Sequence, residues 1–251
     1  MFPLLQVALN GARTVTEHPA IPRRPDELAR EARASVNAGA RVVHLHAYNS
    51  SGRETLAPGP CAAALRAVRS ACPGVPISLT TSAAIEPDPV RRLELVAGWE
   101  DLPDLVSANQ GEAGILELCE LLIGRGVGIE AGLLSLGDAE AFVRAGLAGR
   151  CVRVLVEPLA HDPEKAVADA AALEAVVLAA GIALEQVHHG DGVASWAVCA
   201  RALSRGHGIR TGFEDTVVLP DGRPAADNAS LVRAAVEMMK RHLPVKGRGE
   251  G

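Results

Sequence analysis

His44 and His46 sit two residues apart in "GARVVHLHAYN" (39–49), a run that otherwise reads as a buried strand. On a strand, residues i and i+2 point to the same side, so the two imidazoles face together while Val43 and Leu45 face away. Two neutral imidazoles side by side suit a zinc-type divalent ion, whose catalytic form takes three protein ligands and keeps an open position. The plainer alternative is a pair of hydrogen-bonded core histidines. A candidate third ligand stands far along the chain in "GIRTGFEDT" (208–216), where Glu214 and Asp215 are adjacent acids closing another apolar run. The plainer reading of that dipeptide is an exposed turn. Arg210, four residues before Glu214, offers a guanidinium that can meet a substrate carboxylate or pair with Asp215.

These residues can meet only if the fold brings two distant strands together. Short apolar runs recur along the chain at 4–9, 41–47, 76–82, 104–109, 127–132, 151–158, 185–190 and 208–214. Most are continuous Val/Ile/Leu stretches, as expected for strands covered on both faces. Between them lie segments with helical periodicity. The first, "RRPDELAREARASVNAG", opens at Pro25, carries Leu28, Ala32 and Val36 on one stripe and stops at Gly39. The segments 112–126, 163–181 and 228–243 read the same way. Eight strands alternating with eight helices in 251 residues predict a single-domain α/β fold, the (β/α)8 TIM barrel, over residues 1–244, with a disordered tail at 245–251. A doubly wound open sheet is the rival. Polar residues favour the barrel, because they gather toward the C-terminal ends of the strands, where barrel active sites are built. They include Asn10, His44, His46, Thr80 to Ser82, Ser107, Asn109, Glu130, Glu157, His188, His189 and Glu214. In a closed barrel the last strand pairs with the first, which puts Glu214 two places round from the histidines.

Composition narrows the class further. Apolar residues make up 48% of the chain and aromatic ones only 2%, so the core is built from Ala, Val, Leu and Ile. A net charge of −5 without a Lys/Arg-rich block argues against nucleic acid as a partner. The five scattered cysteines form no C-x-x-C pair and fit reduced thiols of a cytoplasmic protein, three of them on helices. The start "MFPLLQVALNG" has no basic region, and its apolar run is too short for a signal peptide or a membrane span.

The segment "GARTVTEHPAIPRRPDELAREARASVNAGARVVHLHAYNSSG" resembles the opening of the β-keto acid cleavage enzymes: a Gly-Ala turn, a P-x-x-P loop, a helix, "AGA" and an H-x-H strand. "GIRTGFEDTVVLPDGRPAADNASLVRAA" resembles the family's ending, an R-x-G-x-E-D strand followed by N-x-x-L-V. The likeness runs from about Leu5 to Met239 and is sharpest at the two ends. It implies a (β/α)8 barrel with a divalent metal, usually zinc, on His44, His46 and Glu214. The implied reaction joins a β-keto acid with acetyl-CoA to give acetoacetate and a new acyl-CoA, with the metal acting as a Lewis acid. Arg210 and Asp215 match a pair that assists proton removal. Thr80 and Ser107 match family hydroxyl groups, and Glu130 matches a strand-five glutamate. The family usually forms homo-oligomers, which implies a dimer or tetramer here.

Three positions depart from the family pattern. Arg13 stands where an acid is common, Tyr48 follows the H-x-H motif by two where an arginine is common, and "TSAA" (81–84) replaces a "TGG"-like turn. These positions, with Asn10, Ser82 and Asn109, are the expected substrate-binding residues, and Arg13 would suit an acidic substrate tail. For Thr80 and Ser107 the plainer role is bonding backbone groups; for Glu130 it is an ion pair with Arg153 or Arg210. Asn109, Glu112, His188, His189 and Asp191 either shape the pocket or simply terminate strands and begin helices, the plainer role being favoured for Glu112 and Asp191. No Gly-rich phosphate motif marks a CoA site, and Arg23 and Arg24 are either phosphate contacts or solvated loop charges. Two other functions compete: a metal-dependent hydrolase or lyase acting on a small carboxylate without CoA, and an inert carboxylate-binding barrel. The joint presence of His44, His46, Arg210, Glu214 and Asp215 argues against the inert barrel, since packing does not require that set.

Overall fold

A computed structural model describes residues 3–242. The 245–251 tail expected from the sequence lies outside the described residues. Eight parallel strands, β1 (Leu5–Ala8), β2 (Val42–Leu45), β3 (Ile77–Thr80), β4 (Leu105–Asn109), β5 (Gly128–Leu133), β6 (Arg153–Val156), β7 (Glu185–His188) and β8 (Gly208–Thr211), close in chain order. The helices α1 (Pro25–Ala38), α2 (Pro58–Ala71), α3 (Pro89–Ala97), α4 (Ile115–Gly124), α5 (Leu136–Ala145), α6 (Pro163–Ala179), α7 (Ser195–Ser204) and α8 (Asn228–His242) follow the strands in turn. The expected (β/α)8 TIM barrel is therefore the observed fold, and the open-sheet rival falls because β1 pairs with β8 as well as with β2.

Local chemistry explains the helix starts. Proline, whose missing N–H costs nothing in the first turn, opens α1, α2, α3 and α6. Asp88, Ser135 and Asp162 accept hydrogen bonds from first-turn N–H groups as caps. The helices lie over outward-facing strand residues such as Val43, Leu45, Leu79, Val106, Ile129 and Val154, all fully buried in one apolar core. Cys61, Cys119 and Cys199 do lie on helices, and all five cysteines are buried free thiols.

The barrel interior is polar rather than aliphatic. Gln6 on β1 donates to both Glu130 oxygens on β5 (3.3 and 3.2 Å), a contact that can form only through the lumen. Ser78 and Arg153 meet the same carboxylate from β3 and β6. Strand eight is shorter than the expected 208–214. It ends at Thr211, and the chain turns at Gly212, whose carbonyl accepts from Asp215 and Thr216 N–H. A Cβ on Gly212 would lie 1.9 Å from the Ala8 carbonyl oxygen, so this close passage of two backbones requires glycine.

Candidate active site

The first two ligand candidates come from the end of β2. His44 is 1% exposed and points into the barrel. Its Nδ1 lies 3.1 Å from Ser78 Oγ, and Ser78 donates its own proton to Glu130 Oε2 at 2.5 Å. The hydroxyl therefore accepts from His44 Nδ1–H, which leaves the Nε2 lone pair free. Burial is the main reason that the His44 pKa falls to about 3; Arg210 and His46 add to it and Glu214 opposes it. His44 is thus neutral, the state a metal requires. His46 Nδ1 lies 2.5 Å from Glu54 Oε1, which orients its Nε2 toward the same point. Burial lowers the His46 pKa, but the Glu214 and Glu54 carboxylates outweigh it and push the value up to about 9.

Glu214 arrives from the turn after β8. Its Oε2 lies 3.4 Å from His44 Nε2 and 3.5 Å from His46 Nε2. The three ligand atoms fall within 4.8 Å of one another. That Oε2 is buried and has no hydrogen-bond partner. An unpartnered buried carboxylate oxygen is costly, and a divalent cation between it and the two imidazole nitrogens, displacing the proton that His46 holds, removes the cost. The donor set fits a metal. Gly11 makes room for it: a Cβ there would lie 2.4 Å from Glu214 Cγ, and its φ of +58° is left-handed backbone that glycine adopts freely.

Arg210 sits beside this group, 2% exposed, and binds three acids. It donates to Asp215 (Nη2 to Oδ1, 2.7 Å; Nε to Oδ2, 3.3 Å) and to Glu214 Oε1 (3.1 Å), and lies 3.9 Å from Glu157 Oε1. Burial opposes ionisation of Glu214 and Asp215, but Arg210 with the nearby histidines holds both carboxyls below their ordinary values.

An open cavity of about 400 Å³ lies over His46, Arg210 and Glu214. Thr80, Ser82, Ser107, Asn109 and Arg13 line it, as expected for residues at strand ends. Thr80 and Ser107 are register partners on β3 and β4. Glu112 links the loop after β3 to the cavity-lining Asn109, with Oε1 accepting from Ala83 N–H and Asn109 Nδ2 at 2.9 Å.

Other expected site residues stand elsewhere. Asn10 is fully buried; its amide bonds the Pro22 and His46 carbonyls and the Gly11 and His46 N–H groups, joining the ends of β1 and β2. With every polar atom engaged, it cannot bind substrate. Tyr48 is off the cavity wall, donates to the Gly11 carbonyl at 2.5 Å and carries Arg23 4.7 Å over its ring. Glu130 lies one layer below the cavity, paired with Arg153 at 3.3 Å, and acts on His44 through Ser78. Asp215 is 3% exposed and also absent from the wall. Arg13 does reach the wall, but it is committed: Nε donates to the Glu214 carbonyl (2.9 Å) and Nη1 to Glu17 (3.2 Å). Its Nη2 serves Asp191 (2.7 Å) and the Asp215 carbonyl (3.3 Å). It buttresses the metal-ligand turn rather than offering a free cation to an acidic tail. His188 points out of the barrel, stacked on His207 at 4.7 Å, because residues 186 and 188 share the helix-facing side of β7.

Two functional neighbours escape a reading of strand ends. Glu54 is brought back to His46 by the "NSSG" turn, in which the Asn49 side chain accepts from Ser51 and Arg53 N–H and Tyr48 pairs with Glu54. The turn composition is the signal that would find it. Ser78 gives a weaker one: it is the hydroxyl in the middle of a buried strand, paired in register with His44.

A family model described as beta-keto acid cleavage enzyme matches residues 4–125 and 136–243. The chain belongs to the β-keto acid cleavage enzyme family. The stretch between the two matched segments holds β5 and Glu130. The 3-keto-5-aminohexanoate cleavage enzyme of Fusobacterium nucleatum is 28% identical, covering 94% of this chain and 91% of the relative. The enzyme of the same name from Acetoanaerobium sticklandii is 26% identical over the same shares. Among solved structures, a ternary complex of ObcA with a C4-CoA adduct and oxalate superposes with a TM-score of 0.74 at 19% identity. That match covers 89% of this chain and 64% of ObcA. A type I 3-dehydroquinate dehydratase from Clostridium difficile gives a TM-score of 0.63 at 10% identity, covering 96% of this chain and 94% of that one. Both structural likenesses establish the barrel.

Proposed function

We propose that this β-keto acid cleavage enzyme is a zinc-dependent acyltransferase that condenses a β-keto acid with acetyl-CoA and releases acetoacetate and a new acyl-CoA. One observation carries the reading: the buried, unpartnered Glu214 Oε2 faces two imidazole Nε2 atoms beneath a cavity edged by Arg210. A β-keto acid presents a keto and a carboxylate oxygen that a metal site with an open position can chelate. A divalent ion held by His44, His46 and Glu214 supplies Lewis-acid polarisation of those oxygens.

The chain's own residues do the rest. Ser78 and Glu54 fix which nitrogen of each ligand histidine faces inward. Arg210, locked by Asp215, presents a fixed positive charge at the cavity floor and attracts the substrate carboxylate. The Arg210–Asp215 pair assists removal of the proton between keto and carboxylate carbons, and Thr80, Ser107 and Asn109 offer hydrogen bonds to the oxygens of the bound pair. Membership of the family also supports a homo-oligomer in the cytoplasm, and among the described residues no helix is long and apolar enough to cross a membrane.

The test is metal analysis of the purified protein with a panel of β-keto acids, each with and without acetyl-CoA. Acetoacetate formation that needs both the metal and acetyl-CoA is expected. Metal-dependent turnover without acetyl-CoA overturns the proposal in favour of a hydrolase or lyase.

A further inference from the structure

The cavity wall across from the metal group is held by a charged pair that packing alone does not require. In the closed ring β4 stands opposite β8 and β5 opposite β1. A molecule bound at His44, His46 and Glu214 and extending over the cavity therefore meets the ends of β3 to β5. Ala84, Ile85 and Leu134 make that wall largely apolar, and the Asn109 carboxamide is set among them with Ser82. Asn109 fits because its register partner on β5 is Gly132, where a Cβ would lie 2.5 Å from Asn109 Oδ1. Its orientation is fixed from behind. Glu112, in the loop from β4 to α4, is absent from the wall and accepts from Asn109 Nδ2 at 2.9 Å. A carboxylate only accepts, so Nδ2 and not Oδ1 faces it. The same Oε1 accepts from Ala83 N–H at 2.9 Å and lies 3.5 Å from Ser82 Oγ. Behind Glu112 stands Arg92 of α3, 1% exposed, with Nη1 3.4 Å from Glu112 Oε2. Its two Nη atoms donate to the Glu86 and Ala113 carbonyls, one in each of the two loops. A buried arginine and its acid cost more to desolvate than apolar residues filling the same space. What this pair adds is a carboxylate oxygen at a fixed point between the loops.

We propose that Glu112, backed by Arg92, is a positioning residue that holds the Asn109 carboxamide ready for a polar group on the tail of the β-keto acid, and so favours hydroxylated tails over plain ones. The inference rests on the β-keto acid reading above. With one Nδ2 proton held by Glu112, Oδ1 and the second Nδ2 proton are left for the ligand. A hydroxyl, which both donates and accepts, can use either. The rest of the tail packs on Ala84, Ile85 and Leu134. A carboxamide free to rotate would lose part of this binding to ordering when the ligand arrives, whereas one already held loses little.

The test measures KM and kcat of the metal-loaded protein for 5-hydroxy-3-oxohexanoate, 3-oxohexanoate and acetyl-CoA, each with the co-substrate saturating. The wild type is expected to show a KM about tenfold lower for the hydroxylated acid than for the plain one. Glu112→Ala is expected to erase that difference by raising the KM of the hydroxylated acid alone, with kcat within about twofold. Glu112→Asp, which keeps a charge for Arg92 but withdraws the carboxylate by one methylene, is expected to do the same. Glu112→Gln can still turn its carbonyl oxygen to Asn109, so it should retain the preference even as the lost charge beside Arg92 lowers Tm. Asn109→Ala is expected to erase the preference as fully. Combining it with Glu112→Ala should add nothing further, since both remove one interaction. A wild type that treats the two acids alike, an equal KM rise for both in Glu112→Ala, or a rise in the KM of acetyl-CoA instead overturns the proposal. Metal-loaded wild-type protein that turns over neither acid overturns the β-keto acid reading itself, and this assignment with it.

Discussion

Arg13 gives the sharpest test of how the site is held, because its sequence position and its geometry point to different roles. As a cation near the start of the chain's first loop, it suggests recognition of an anionic tail. In the structure its guanidinium is spent on the Glu214 and Asp215 carbonyls and on Asp191 and Glu17. The two carbonyl bonds are part-buried and charge-assisted, and contribute about 1 to 1.5 kcal/mol each. The Asp191 and Glu17 partners are 37% and 44% exposed, so those ion pairs add at most about 1 kcal/mol together. Arg13→Ala should therefore cost about 3 kcal/mol, a fall in Tm of roughly 6–12 °C for a chain of this size. Because the freed carbonyls belong to the turn that carries Glu214, metal affinity should weaken about tenfold, corresponding to ~1.4 kcal/mol. Arg13→Lys should recover little, since an ammonium cannot span four acceptors spread over one guanidinium plane. Urea unfolding with and without zinc, and competition against a chromogenic chelator, measure both effects. Unchanged stability and metal affinity in Arg13→Ala, together with a KM raised tenfold for dicarboxylic β-keto acids alone, would refute the buttress and restore the substrate-binding role.

Three further outcomes follow from the same geometry. Ser78→Ala removes the acceptor that fixes the His44 tautomer and should weaken metal binding about 10–100-fold, again by chelator competition, with the fold intact. Burial acts to raise the Glu174 pKa, but His207, Arg201 and Arg205 hold it at about 2 against an ordinary 4.5. A depressed carboxylate stabilises the fold above its unfolded pKa, and that contribution, up to roughly 3 kcal/mol, drains away as pH falls from about 5 toward 2. Urea midpoints across this range should drop less steeply in Glu174→Gln, and parallel curves would remove the network from the account of acid stability. Gly212→Ala forces a Cβ onto the Ala8 backbone and should cost more than about 4 kcal/mol; a near-normal thermal melt would mean that the β1–β8 seam parts easily.

The sequence by itself determined the barrel and the metal group. Each strand is a short apolar run and each helix is marked by proline, a cap or glycine, so the eight βα units are written locally. His44 and His46 share a side because strand period is two, and Glu214 joins them because a closed barrel must pair its last strand with its first. Strand period alone did not decide how deep each polar residue sits. Glu130 and Thr80 both face the lumen on neighbouring parts of the ring, but barrel stagger puts one beneath the metal group and the other on the cavity wall. Nor could it say which polar groups are already engaged. Asn10, Tyr48 and Arg13 look available in the sequence, yet tertiary contacts use their donors on the carbonyls of neighbouring loops. Glu54 and Glu112 reach the site through turns outside the strands, and their partners became known only once the ring had closed. The reason is physical: backbone periodicity sets the direction of a side chain, whereas its hydrogen-bond partners depend on which distant segments the closed barrel brings within 3 Å.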